Sequence, residues 1–339
     1  MCLSCGTKHS IRQPKGEMII MKCLITDAVY AGIAEELKKY MDVTTTDGKP
    51  LSKAEMLEKI GDYEILIMRV DPKIDKEIID AGKKLQMIGV CAVGTNHIDT
   101  DYAKEKGIQV FNAPGMNANA VAELTIAKML EISRNTIPAN YDVKVNHNWD
   151  KYKFVGRELR GKTLGIMGFG RIGRRVGELG RAFKMNIVAY DPYLRPEQFD
   201  AEGAKGTSVE ELIRVSDFIS IHVPLTPETK NMFNKKSIAT MKDGAVVLNM
   251  SRGGIVNEQD MYEALKEGRI GGYASDVMEN ELAGSGLTGN DEFASPLFEC
   301  DNFIITPHLG AQSVDASRDI GIYITGKVKD LLNLNQEQN

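Results

Sequence analysis

Short apolar runs alternate with stretches whose apolar residues recur every three or four positions, and this alternation occurs twice along the chain. In the first series the strand candidates are Lys22–Thr26 (the later part of a strand expected over Met18–Thr26), Ile65–Arg69, Met87–Cys91 and Gln109–Asn112. Between them, Ile33, Leu37 and Tyr40 mark one helix face, and Met56, Leu57 and Ile60 mark another. Such interleaving predicts a parallel sheet with helices on its faces. In Ala120–Ile132 the apolar residues surround the axis instead of forming a stripe, so this helix is expected to be buried on nearly all sides. A polar stretch, 140–160, holds the single tryptophan, Trp149. The second series opens at Lys162 and adds the strand candidates Phe218–His222, Ala245–Met250, Gly271–Asp276 and Phe303–Thr306. A last helix, Ser313–Leu332, is expected to return to the first domain.

The second series begins with the most specific motif of the chain. An apolar strand (Leu164, Ile166, Met167) enters a turn with glycine at 168, 170 and 173. A helix with Ile172, Val176, Leu179 and Phe183 on one face follows, and a further strand (Ile187, Val188, Ala189) ends at Asp191. Strand, glycine triplet, helix, strand and carboxylate in that order are a dinucleotide fingerprint. Gly168 permits the tight turn, Gly170 lets backbone approach a pyrophosphate, and Gly173 allows close helix–strand packing; the helix N-terminus adds free amides. Asp191 suits the ribose hydroxyls of NAD and would repel the 2′-phosphate of NADP. Arg195, bracketed by Pro192 and Pro196, reads as a solvated surface arginine.

The expected fold class is therefore α/β, with two Rossmann-like, doubly wound parallel-sheet domains flanking a cleft. Residues 1–17 read as a disordered leader, 18–119 as a substrate domain completed by 309–339, and 120–308 as the NAD-binding domain. A length of 339 residues suits two domains. The formal charge of −5 offers no basic stripe for nucleic acid, and no apolar stretch is long enough to span a bilayer. Five cysteines, an odd number, fit a reducing cytosol better than a disulfide framework, so a cytoplasmic location is expected. Cys2 and Cys5 form C-x-x-C near His9, but no second ligand pair follows at zinc-site spacing, and no metal is expected.

Chemistry candidates lie where the chain leaves predicted strands, the edge at which open α/β sheets bind ligands. His308 follows Phe303–Pro307 and has the titration range of a proton donor and acceptor for a carbonyl oxygen; alone, it would read as a capping histidine. Glu281 would accept from the other imidazole nitrogen, with a solvated loop carboxylate as the plain alternative. Arg252, followed by Gly253 and Gly254, offers a planar fork for a carboxylate, the glycines leaving room for a ligand. Val93 and Gly94, in the small-residue turn 91–95, have amides suited to a carboxylate nest, and Arg69 adds a positive charge. Ordinary turn chemistry would explain these equally well.

These residues resemble the D-isomer-specific 2-hydroxyacid dehydrogenases over about 20–335. The segments that carry the likeness are Val93–Asn96 with Ile98 and Asp99, Phe111–Pro114, Val121–Glu123, Gly168–Gly173, His222–Thr226, Asn249–Gly253, Asp276–Val277 and Thr306–Gly310. The resemblance implies Arg252 as the substrate-orienting arginine, His308 as the acid/base and Glu281 as its paired carboxylate. It implies NAD contacts at Gly168, Gly170, Arg171, Ile172, Gly173, Asp191, His222, Pro224 and Asp276, and substrate contacts at Arg69, Val93, Gly94 and Arg252. It also implies a homodimer formed largely through the NAD-binding domain. The family often has proline after its glutamate where Leu282 stands here, which leaves Glu279 as the alternative partner. The turn 94–99 with Arg69 is similar to the phosphoglycerate dehydrogenase branch, yet Asp71, on the same face as Arg69, would repel phosphate. Phosphorylated and unphosphorylated 2-keto acids both stay open, as does an NAD-sensing, corepressor-like scaffold.

Overall fold

A computed structural model describes residues 10–12, 18–281 and 293–334. Two compact units divide the chain: 1–117 with 313–339, and 118–312. The calls on Cys2, Cys5, His9 and Leu282 lie outside the described residues.

Ahead of the first sheet, β1 (Ser10–Arg12) pairs antiparallel with β2 (Met18–Ile20). This corrects two expectations: part of the 1–17 leader is strand, and Met18–Thr26 is not continuous. The sheet of unit 1 holds β3 (Lys22–Ile25), β4 (Asp42–Thr45), β5 (Ile65–Met68), β6 (Met87–Val90) and β7 (Gln109–Asn112), all parallel, in the order β4-β3-β5-β6-β7. Every residue of β5 and β6 is buried, because both faces are covered. Ile65 and Ile67 enter one core with Ile33, Leu37, Ile320, Ile324 and Val328; Leu66 and Met68 enter the other with Met56, Ile78 and Ile88. The helix Val314–Leu331 thus belongs to unit 1, packed on the helix Gly32–Leu37 and on β6.

Unit 2 has seven parallel strands: β8 (Thr163–Met167), β9 (Asn186–Tyr190), β10 (Lys205–Gly206), β11 (Phe218–Ile221), β12 (Ala245–Asn249), β13 (Ile270–Ser275) and β14 (Phe303–Ile305). The order β10-β9-β8-β11-β12-β13-β14 reverses its winding between β8 and β11. That switch point is where a ligand crevice forms in such sheets. The helix Ala118–Arg134 packs on the helix Arg171–Ala182 and against β12 and β13, with only a narrow stripe (Asn119, Glu123, Ala127, Arg134) exposed. The helix Arg171–Ala182 packs Ile172, Val176 and Leu179 into the core as expected and buries Gly173, Gly177 and Gly180 beside them, while Phe183 is 39% exposed. Small residues bring the helix axis close to the sheet, where a Cβ at Gly180 would stand 2.9 Å from Leu164 and 3.0 Å from Ile187. No helix among the described residues is long and apolar enough to cross a membrane.

Candidate active site

The glycine turn sits at the switch point of unit 2. Gly168 has φ +90°, and a Cβ there would lie 2.8 Å from the His222 carbonyl oxygen, so the two loops at the ends of β8 and β11 meet through bare backbone. A Cβ at Gly173 would lie 2.1 Å from the Gly168 carbonyl oxygen. Around Gly170 there is nothing within 4 Å of such a Cβ, and this residue caps its helix without a side chain, leaving the first amides for an anion. Asp191 faces the turn: its Oδ2 accepts from Phe169 N at 3.0 Å and its Oδ1 from Tyr193 N at 3.0 Å. Arg171 and Arg195 are exposed, and Ile172 is half-buried.

His222 follows β11 directly, with Nε2 2.7 Å from Ser220 Oγ. Its Nδ1 is buried with no partner among the described residues. Burial pushes the ring pKa down to about 3, so the imidazole is neutral. The Pro224 carbonyl accepts from Thr229 Oγ1. An open glycine turn, a carboxylate at the end of β9 and an orphaned buried nitrogen beside them fit a bound dinucleotide.

At the end of β13, Asp276 is buried and organises the turn after β14. Its Oδ1 accepts from Thr306 Oγ1 at 2.6 Å and Leu309 N at 2.8 Å, and its Oδ2 accepts from Gly310 N at 2.7 Å. The Asp276 carbonyl takes the His308 amide at 3.0 Å. This clamp holds His308 at φ +53°, a left-handed conformation that a side-chain-bearing residue adopts only when its surroundings enforce it. His308 Nδ1 lies 3.2 Å from Glu281 Oε2. The Glu281 hydrogen bond and charge raise the histidine pKa above its ordinary value, against burial and the nearby charge of Arg252. The structure therefore gathers Glu281, His308 and Arg252 into one electrostatic group. Glu279, by contrast, meets Glu258 through its backbone amide.

Arg252 is half-buried, with Nη1 donating to the Ser251 carbonyl at 2.7 Å. Gly253 serves another purpose than the one expected. A Cβ at Gly253 would lie 2.2 Å from the Met278 carbonyl oxygen, so that glycine admits the 277–279 backbone and not a ligand.

In unit 1, Arg69 follows β5 half-buried, and Val93 is exposed after β6 with its carbonyl accepting from Asn112 Nδ2. Gly94 is half-buried in the same turn. Sequence reasoning passed over Asp27 and His97, which reach the Arg69 loop, and over Ser220 and Thr306, which orient His222 and Asp276. Strand-end position was the available signal for Asp27. Among the described residues no cluster of potential metal ligands occurs.

Residues 126–310 match the profile of the D-isomer specific 2-hydroxyacid dehydrogenase NAD binding domain. The chain belongs to that family. It is 40% identical over 314 residues to a D-3-phosphoglycerate dehydrogenase of Methanocaldococcus jannaschii, covering 92% of this chain and 58% of the relative. It is 38% identical over 291 residues to a hydroxypyruvate reductase of Thermotoga maritima, covering 86% of this chain and 91% of the relative. The chain thus spans little more than half of some curated relatives. Among solved structures, the D-lactate dehydrogenase of Aquifex aeolicus, complexed with NAD and lactic acid, superposes with a TM-score of 0.76 at 32% identity, covering 93% of this chain and 97% of that one.

Proposed function

We propose that this protein is an NAD-dependent D-2-hydroxyacid dehydrogenase, catalysing reversible redox chemistry at C2 of a small 2-keto or 2-hydroxy acid. The observation that carries the reading is the His308–Glu281 pair at 3.2 Å, within the charge field of Arg252, in the unit that also holds the open glycine turn. NAD, when bound, supplies the hydride donor or acceptor. Gly168, Gly170, Arg171, Ile172, Gly173, His222 and Pro224 are its proposed contacts. Asp276 keeps a lone pair on Oδ2 for a further bond. Asp191 favours NAD over NADP, because a 2′-phosphate there meets a carboxylate. With Nδ1 facing Glu281, His308 presents Nε2 to the keto oxygen, giving it a proton in reduction and taking it back in oxidation. Arg252 fixes the substrate carboxylate through its fork. In unit 1, Arg69, Val93 and Gly94 carry the other proposed substrate contacts.

The decisive measurement is NADH and NADPH oxidation across a panel of 2-keto acids including 3-phosphohydroxypyruvate. Turnover with NADH preferred is expected; binding without turnover on any member would remove the enzyme reading. The scaffold alternative gains nothing from the relatives above, which are named as dehydrogenases and a reductase.

Glu281→Gln provides a second check. Because Glu281 raises the His308 pKa, removing its charge lowers that pKa. Ketone reduction needs the protonated ring, so its decline with rising pH should begin at lower pH in the variant, with turnover at neutrality down roughly tenfold or more. An unmoved pH profile would show that Glu281 does not tune the imidazole.

A homodimer is the proposed assembly. The segment 137–155 exposes Ile137, Tyr141, Val145, Trp149, Tyr152 and Val155, with Trp149 85% and Tyr152 75% accessible, and large apolar side chains exposed along one segment favour an interface. Sedimentation as a monomer at micromolar concentration would refute this. The described cysteines, Cys23, Cys91 and Cys300, are buried thiols, in keeping with the cytoplasmic location we propose.

A further inference from the structure

Unit 1 carries ionisable side chains that the proposed reaction does not use. Its sheet reverses winding between β3 and β5, which makes the ends of those strands its own switch point. Asp27 follows β3, Arg69 and Asp71 follow β5, and His97 lies in the turn after β6. Asp27 is held at φ +71° with its carboxylate across the neighbouring loop: Oδ2 accepts from Val70 N at 2.9 Å and from Asp71 N at 3.3 Å. His97 hydrogen-bonds the Arg69 backbone, and its Nε2 is buried without a partner among the described residues. Burial lowers the His97 pKa, so this ring is neutral at pH 7 and adds no positive charge. Burial and then the Asp27 charge nearby raise the Asp71 pKa, against the pull of His97. Lys49 meets Asp27 through its carbonyl, which accepts the Asp27 amide at 3.2 Å, and its side chain is exposed.

Two carboxylates therefore stand at the loop that carries Arg69. Arg69 alone would welcome a phosphate; here a dianion arriving at its loop meets the charges of Asp27 and Asp71 as well. The neutral His97 ring, donating from one nitrogen to backbone, leaves Nε2 as an acceptor that a hydroxyl satisfies.

We propose that Asp27 and Asp71 act as a specificity filter at this strand-end mouth, selecting small 2-keto acids whose far end is uncharged and rejecting those with a distal phosphate or second carboxylate. The inference rests on the dehydrogenase reading above. It deepens that reading by choosing the substrate class.

The test compares kcat/KM for hydroxypyruvate and 3-phosphohydroxypyruvate with NADH, in the unaltered protein and in Asp71→Asn and Asp71→Arg, at low and high salt. The unaltered protein should favour hydroxypyruvate by about tenfold or more, and Asp71→Arg should move the ratio toward the phosphorylated acid by about tenfold. Asp71→Asn, which keeps the side-chain size, should move it in the same direction by less. Because the effect is electrostatic, the preference should narrow as salt rises. A preference for the phosphorylated acid in the unaltered protein, or a ratio that neither variant moves, overturns the filter while leaving the dehydrogenase intact. Absence of turnover on every 2-keto acid overturns both.

Discussion

His308→Ala lowers kcat for 2-keto acid reduction by about a hundred- to ten-thousandfold, the range expected when a positioned proton donor is removed, while the dissociation constant for NADH stays within a few-fold. The imidazole acts on the keto oxygen and makes none of the proposed dinucleotide contacts. Because His308 sits at φ +53°, alanine there also carries a backbone penalty of about 1 kcal/mol. His308→Asn separates the two effects, since asparagine tolerates the left-handed region and does not titrate. Steady-state kinetics beside thermal melts should show both variants equally inactive, with the asparagine variant nearer the parent in Tm. Near-normal turnover in a folded His308→Asn protein would remove His308 from the chemistry.

Two alanines placed three residues apart should behave in opposite ways. Gly173→Ala forces a Cβ to within 2.1 Å of the Gly168 carbonyl oxygen and 3.1 Å of Ile166, so the turn and the helix must separate. Overpacking of that kind costs about 1–3 kcal/mol or more, seen as a Tm lowered by several degrees together with lost NAD affinity. Gly170→Ala meets nothing within 4 Å, and its backbone at φ −76° suits any residue. Its Tm should hold within about a degree, while NAD binding weakens by roughly tenfold or more, because the new methyl occupies the space reserved for the pyrophosphate. Calorimetric titration with NAD and a thermal melt on each variant decide the matter. Unchanged NAD affinity in Gly170→Ala would show that the pyrophosphate does not lie over this turn.

What the sequence disclosed follows from where side chains are buried. Ile65–Met68 and Met87–Val90 were readable as strands because both faces are covered and every position is apolar. Asp42–Thr45 and Lys205–Gly206 escaped notice: they are edge strands, polar and largely exposed, and their pairing depends on a neighbour distant in sequence. Periodicity gave the helix Arg171–Ala182 and its apolar contacts but not the glycines beside them, since hydrophobicity scales do not see that glycines bring helix and sheet close. At the site, glycines proclaimed a close approach without saying of what; at Gly253 the answer was the Met278 carbonyl. The Asp276 clamp joins positions 30 to 34 residues apart, and Glu281 meets His308 across 27. Such pairings come from the fold, and no local pattern announces them.

Unit 1 is assembled from both flanks of the continuous unit 2: Ile320, Ile324 and Val328 complete a core that starts with Cys23 and Ile25. During synthesis the sheet of unit 1 must therefore wait for a helix made after the whole of unit 2. The middle of the chain can reach its native state while the earlier portion still shows an unsatisfied apolar face to solvent. Chaperone demand and vulnerability to proteases during synthesis should accordingly be governed by the unit whose sheet emerges well before the helix that covers it.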